Sequence, residues 1–237
     1  MVPPRTPWTV CNETPVKKWS TLERALTPDG KTISLEEHDG SYAIRVGGVP
    51  LMSTRQHASE EKLAELACAH LWEIRRARVL IGGLGFGFTL KAALAALPAD
   101  AEVVVAELLA AVIAWNRNSE LPLASAALAD PRVTARQEDA ATVIREARGT
   151  FDSIILDVDN GPAALSTDGN FQLYDSAGLR ASRLALRPGG CIAFWSAAPD
   201  AAFERRLERA GFRVQVERCR SHESSGRWHT LFLGRLQ

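Results

Sequence analysis

The run Arg78-Val79-Leu80-Ile81-Gly82-Gly83-Leu84-Gly85-Phe86-Gly87-Phe88-Thr89-Leu90 constrains the fold of this chain more than any other stretch. An apolar segment of buried-strand character breaks into closely spaced glycines, and helical apolar spacing resumes at Leu90, Leu94 and Leu97. Glycine is needed where a strand turns sharply into a helix and a ligand must reach the backbone. Gly83, Gly85 and Gly87 spell G-x-G-x-G, whereas the dinucleotide fingerprint G-x-G-x-x-G needs a glycine at position 88, occupied here by Phe88. The loop therefore suits a nucleoside lacking a pyrophosphate.

From Val79 onward, strand-like runs alternate with helical ones. Val103-Val104-Val105, the neighbourhood of Val133, Phe151 to Leu156 and Cys191 to Trp195 read as strands. Ala110 to Asn116 and the segments around 140–148, 176–187 and 200–211 read as helices. Such alternation implies a parallel sheet, because parallel neighbours need crossover connections that helices supply. Arg213 to Cys219 and Trp228 to Leu233 flank the polar loop His222-Glu223-Ser224-Ser225-Gly226 and predict a terminal antiparallel hairpin at the sheet edge. Ahead of the glycine loop, Thr32 to His38 and Ser41 to Val46 flank Asp39-Gly40, a strong hairpin signal. Gly47-Gly48 reads as a second turn into Val49-Pro50-Leu51-Met52, and residues 1 to about 30 read as irregular. Ser59 followed by Glu60-Glu61 opens a helix expected to run through about Arg76. The expected fold is α/β: a doubly wound Rossmann-like sheet (75–237) preceded by an irregular segment, a small β unit and a linking helix (1–74).

Charge and composition exclude several partners. Lys plus Arg equals Asp plus Glu at 28 each, so no global basic field favours nucleic acid. No apolar run approaches the roughly 20 residues that span a bilayer, and MVPPRTPWTV lacks a signal-type apolar core. Cys11, Cys68, Cys191 and Cys219 are scattered, which reads as reduced thiols in a cytoplasmic protein. Neither they nor His38, His57, His70, His222 and His229 have metal-ligand spacing, so no metal is assigned.

In an open α/β sheet, ligands bind at the carboxyl ends of the strands, and three acids fall there. Glu107 closes Val103-Val104-Val105-Ala106, where a carboxylate can accept from both ribose hydroxyls. Asp139 follows the strand around Val133, placed to accept from an adenine amino group. Asp157 closes Ile154-Ile155-Leu156 and leads into Val158-Asp159-Asn160-Gly161-Pro162. Each acid alone also fits a helix N-cap or a solvated surface group; their order after the glycine loop favours the nucleoside reading.

The segments VLIGGLGFG, VVVAELL, DPRVTARQEDA, FDSIILDVDNGP and LRPGGCIAFWS together resemble the spermidine synthase-like branch of the class I S-adenosylmethionine-dependent transferases. The resemblance covers roughly residues 30–235. It implies a cofactor site at Gly83, Gly85, Gly87, Glu107, Asp139 and Asp157, with Glu107 on the ribose and Asp139 on adenine. It further implies that Asp157, with Asp159 supporting, binds and deprotonates the attacking amine. The co-substrate would be S-adenosylmethionine or its decarboxylated form. The acceptor would be a small-molecule amine, and a homodimer is compatible with the reading.

The chain departs from the family pattern in three places. Phe86 stands where the loop usually carries an aspartate beside the sulfonium. The second carboxylate of Asp157-Val158-Asp159-Asn160 comes one residue early. The segment Glu61-Lys62-Leu63-Ala64-Glu65-Leu66 lacks the tyrosine and histidine that line the family's polyamine channel. Aminopropyl transfer to an amine, methyl transfer, and nucleoside binding without catalysis all remain open on the sequence. Trp195 would emerge at the rim near Asp157 or pack in the core, and residues 161–170 would form either a lid or a plain surface loop. His57 could face the second-substrate pocket, with an exposed loop position favoured, and His70 reads as a core residue of an apolar helical face.

Overall fold

A computed structural model describes residues 18–158, 171–222 and 225–236. Its first layer is a four-stranded antiparallel sheet of β1 (Ser20–Leu26), β2 (Thr32–His38), β3 (Ser41–Val46) and β4 (Val49–Ser53), in that spatial order. Asp39 and Gly40 both take positive φ, 49° and 72°, as the tight β2–β3 turn requires. The expected hairpin is therefore present, as is the second turn at Gly47-Gly48. β1 corrects the expectation that everything before about residue 30 is irregular. Its side chains are almost all exposed and its register slips between Thr21 and Glu23, so the alternation that marks a strand in sequence is missing. Backbone pairing to β2 makes it a strand instead.

Helix α1 (Ala58–Cys68) leads to the second, seven-stranded sheet. It ends eight residues before the expected boundary at Arg76. Beyond Cys68 the apolar stripe fails: Trp72 is 68% exposed, Ile74 is also exposed, and Arg76 turns to φ 52°. His70 consequently lies outside the helix whose apolar face it was expected to share.

The second sheet is built from β5 (Arg78–Gly82), β6 (Glu102–Glu107), β7 (Val133–Gln137), β8 (Phe151–Leu156), β9 (Leu186–Ser196), β10 (Arg213–Arg220) and β11 (Trp228–Arg235). Their spatial order is β10-β11-β9-β8-β5-β6-β7, parallel from β9 to β7. The terminal hairpin forms as expected, but with β11 inserted between β9 and β10, so the last strand sits inside the sheet. Helices α2 (Phe88–Ala96), α3 (Ala110–Arg117), α4 (Ser125–Leu128), α5 (Ala140–Glu146), α6 (Phe171–Tyr174), α7 (Ser176–Ala185) and α8 (Ala201–Arg209) complete the described residues.

Strand residues alternate between two buried faces, which explains why these strands read as continuous apolar runs. Val79, Ile81, Val103, Val105, Ile155 and Ala193 join one core, shared with α1, α2 and the small sheet through Ile33, Leu35 and Ile44. Leu80, Val104, Ile154, Leu156, Ile192 and Phe194 join the other, beneath α5, α7 and α8. Among the parallel strands, chain order runs outward from β5 in both directions, so the topological switch lies between β5 and β8. That is where a doubly wound sheet leaves a crevice for ligand.

Gly83 marks this crevice. At φ 88°, a Cβ there would lie 2.3 Å from the Asp157 carbonyl oxygen. Gly83→Ala is expected to cost at least the roughly 1–3 kcal/mol of a strained backbone, with the overlap added. In a chain of this size each kcal/mol moves Tm by about 2–4 °C, so thermal denaturation should register a clear drop.

Candidate functional site

The β5–α2 turn is held from both sides. The Gly83 N–H donates to the Ala106 carbonyl at 2.9 Å, and the Asp157 N–H donates to the Gly82 carbonyl at 2.9 Å. Asn116 Nδ2 donates to the Gly85 carbonyl at 2.8 Å. Gly87 opens α2 at φ 73°. Phe86, which stands where the family's aspartate was expected, is buried in the core cluster.

Glu107 ends β6 and is 8% exposed. Its Oε2 accepts from the Leu84 N–H at 2.9 Å and its Oε1 from the Leu109 N–H at 2.8 Å. Burial raises its carboxyl above the usual range, and these backbone donors work against that rise. The carboxylate thereby ties the glycine turn to the end of β6. The N–H groups of Leu108 and Gly85 also act on this carboxylate, so a ligand hydroxyl would share it with the turn backbone. Asp139 caps α5, its Oδ1 accepting from the Ala141 N–H at 2.9 Å, so the capping reading holds for one of its oxygens. Asp159 and the expected lid, residues 161–170, lie outside the described residues.

Asp157, directly after β8, accepts from Thr89 Oγ1 at 2.5 Å, a donor from the first turn of α2. A second carboxylate, that of Glu60 in the first turn of α1, is close enough to feel the Asp157 charge. Burial raises both carboxyls, Asp157 to about 6 and Glu60 to about 7, and the Asp157 charge is the next cause acting on Glu60. Two half-buried acids that resist ionising together hold a proton into the neutral range.

Behind Glu60 stands a polar cluster. Ser59 Oγ lies 2.6 Å from Glu60 Oε2, 2.9 Å from His229 Nδ1 and 3.0 Å from Trp195 Nε1. Trp195 and His229 meet edge to face, ring centroids 4.5 Å apart, as diagonal neighbours on β9 and β11. Trp195 thus emerges at the rim with its indole N–H engaged. His57 is not a free loop residue: it stacks on Phe88 with centroids 4.2 Å apart, and its Nδ1 lies 3.0 Å from Glu61 Oε1. The N-terminal end of α1 rests over the first turn of α2, which places His57 there.

The structure brings Gly83, Gly85, Gly87, Glu107 and Asp157 to the strand ends around one turn, and adds Glu60, Ser59, Thr89 and His229, which the sequence did not single out for this site. Glu60 was visible only as a first-turn acid favourable to a helix dipole, a sufficient reason for its presence. Among the described residues no cluster of three or more His, Cys, Asp or Glu has metal-binding geometry.

No family model matches the chain. Two polyamine aminopropyltransferases, from two strains of Leptospira biflexa serovar Patoc, are 29% identical over 179 residues, covering 73% of this chain and 54% of theirs. The chain spans about half the length of these curated relatives. A spermidine synthase solved in complex with the transition-state analogue AdoDATO superposes with a TM-score of 0.72 at 18% identity, over 92% of this chain and 72% of that one. The chain has the spermidine synthase fold. Spermidine synthase from Thermotoga maritima also gives 0.72, at 20% identity over 92% and 73% of the two chains. A probable spermidine synthase from Corynebacterium glutamicum gives 0.60, at 19% identity over 92% and 80%. The resemblance read from VLIGGLGFG and the segments after it therefore holds in sequence and in architecture.

The carboxylate pair has a consequence for stability. An acid whose folded pKa is raised weakens the fold at high pH, and the penalty fades as pH falls from the folded value toward the unfolded one near 4. Glu60→Gln is therefore expected to have a higher Tm than the parent at pH 8, an advantage that shrinks through pH 5 and is nearly gone at pH 4, measured by paired thermal scans.

Proposed function

We propose that this chain transfers an aminopropyl group from decarboxylated S-adenosylmethionine to an amine. The observation that carries the reading is Asp157 at the end of β8, tied to the glycine turn through Gly82 and Thr89, with Glu60 of α1 close enough to feel its charge. The names of the Leptospira relatives support it. Glu107 would hold the ribose and Asp139 the adenine edge, with Asp159 supporting Asp157. The decarboxylated donor ends in an ammonium, whereas S-adenosylmethionine adds a carboxylate at that end. Two acids favour the first and repel the second.

In the reaction the amine lone pair attacks the carbon next to the sulfonium. The C–N bond forms, the C–S bond breaks, and the thioether leaves with the electron pair. Such a displacement depends chiefly on alignment, which the pinned turn and the strand-end carboxylates provide. The amine must also lose a proton. A carboxylate whose pKa is raised toward neutrality is a better acceptor for it than an ordinary one. Thr89, donating to Asp157, fixes the orientation of that acceptor.

The test is incubation of the protein with each donor and a panel of amines, followed by mass spectrometry. An aminopropylated amine supports the reading. A methylated product formed from S-adenosylmethionine assigns methyl transfer instead, and nucleoside binding without any product assigns a non-catalytic binder. Asp157→Asn is expected to lower kcat by about 100-fold or more, the scale of general base catalysis, with little change in affinity for methylthioadenosine. Glu107→Ala is expected to weaken that affinity by roughly 1–3 kcal/mol in calorimetry, the scale of hydrogen bonds to a charged group.

A further inference from the structure

Ser59 is fully buried at the start of α1 and has more polar neighbours than its hydroxyl hydrogen can serve. Trp195 Nε1, Glu60 Oε2 and His229 Nδ1 lie 3.0, 2.6 and 2.9 Å from its oxygen. A hydroxyl offers one hydrogen and two lone pairs, and an indole N–H only donates. Trp195 therefore takes one lone pair. One hydrogen and one lone pair remain for Glu60 and His229, so one of them must accept while the other brings a hydrogen of its own. When Glu60 is ionised it can only accept, and the hydrogen must then sit on His229 Nδ1. A bare Nδ1 requires the hydrogen to lie on Glu60 Oε2.

We propose that Ser59 is a proton bridge tying the ionisation of Glu60 to the hydrogen on Nδ1 of His229. His229 and Trp195 then act through Ser59 as positioning residues for the carboxylate pair. The role in transfer rests on the aminopropyl-transfer reading; the proton linkage does not. The elements that meet here explain the assembly. The Ala58 N–H donates to the Ser221 carbonyl, seating the start of α1 on the β10–β11 end of the sheet, while β9–β11 pairing brings Trp195 beside His229. The two donors into Ser59, from Trp195 and His229, polarise its hydroxyl and strengthen its hydrogen bond to an ionised Glu60. The exchange balances as a relay: Glu60 Oε2–H gives its hydrogen to Ser59 as Ser59 gives its own to Nδ1, and His229 stays neutral by releasing its Nε2 hydrogen to solvent.

The other charges facing these groups are identifiable. Asp157 and Glu61 act on Glu60, which itself faces Cys219 of β10. Arg227 acts on His229, whose pKa burial and that charge both lower. A neutral His229 at and above neutral pH is thus a hydrogen-bonding group whose tautomer reports on Glu60.

The experiment is side-chain 15N NMR of His229 in the full chain, without substrate, across the titration of Glu60. At pH values where Glu60 is ionised, the expected neutral form carries its hydrogen on Nδ1. In Ser59→Ala, and separately in Glu60→Ala, the hydrogen moves to Nε2, because nothing then requires it on Nδ1. A bare Nδ1 in the parent under those conditions would overturn the proposal, as would the same tautomer in parent and both variants. Steady-state kinetics supply a second readout. His229→Asn is expected to lower kcat by about tenfold, a fraction of the general-base contribution, and to shift the acid limb of the pH profile while donor KM stays within about twofold. An unshifted pH profile would count against the bridge. A parent chain inactive with every donor and amine would overturn the transfer reading while leaving the NMR result to decide the proton linkage.

Discussion

The glycine turn after β5 is bound to the strands on either side of it, and the rest of the site depends on that attachment. Gly82 accepts from the Asp157 amide, Gly83 donates to Ala106, and the Leu84 amide donates to the Glu107 carboxylate. No side chain fits at position 83, because the Asp157 carbonyl occupies the space a Cβ would need. One compact turn thus fixes the ends of β6 and β8 relative to each other. The carboxylates that close those strands are placed by backbone geometry, on rigid elements rather than on loops.

Burial of like charges is the second constraint. Asp157 and Glu60 lie far apart in the sequence, one directly after a strand and one at a helix start. Hydrophobic packing of α1 against the sheet through Leu63, Ala64 and Ala67 brings them together. The free energy of that packing offsets the partial desolvation of the two acids, which raises both carboxyls. A site poised in this way favours a cation and resists an anion.

Much of the architecture was legible in the sequence because local rules set it. Asp39-Gly40 announced a hairpin through its positive φ values, and buried strands such as Val103-Val104-Val105 announced a sheet covered on both faces. Glu107 and Asp157 were legible because a strand-end position is a local property. Glu60 was not, since its partner lies across the fold and the acid alone explains itself as a helix-start residue. The Ser59–His229 contact spans 170 residues, and no periodicity encodes it. β1 was invisible for the opposite reason: an exposed edge strand needs only backbone pairing, which side-chain patterns do not report. The end of α1 was misplaced because Trp72 and Ile74 look apolar in sequence yet face solvent.

A crystal structure of the protein soaked with methylthioadenosine, the thioether left by aminopropyl transfer, tests the central claim most directly. The account predicts the nucleoside in the crevice between β5 and β8, ribose hydroxyls on Glu107 and the sulfur facing Asp157 and Glu60. A nucleoside bound elsewhere, or its sulfur turned away from both acids, would contradict it.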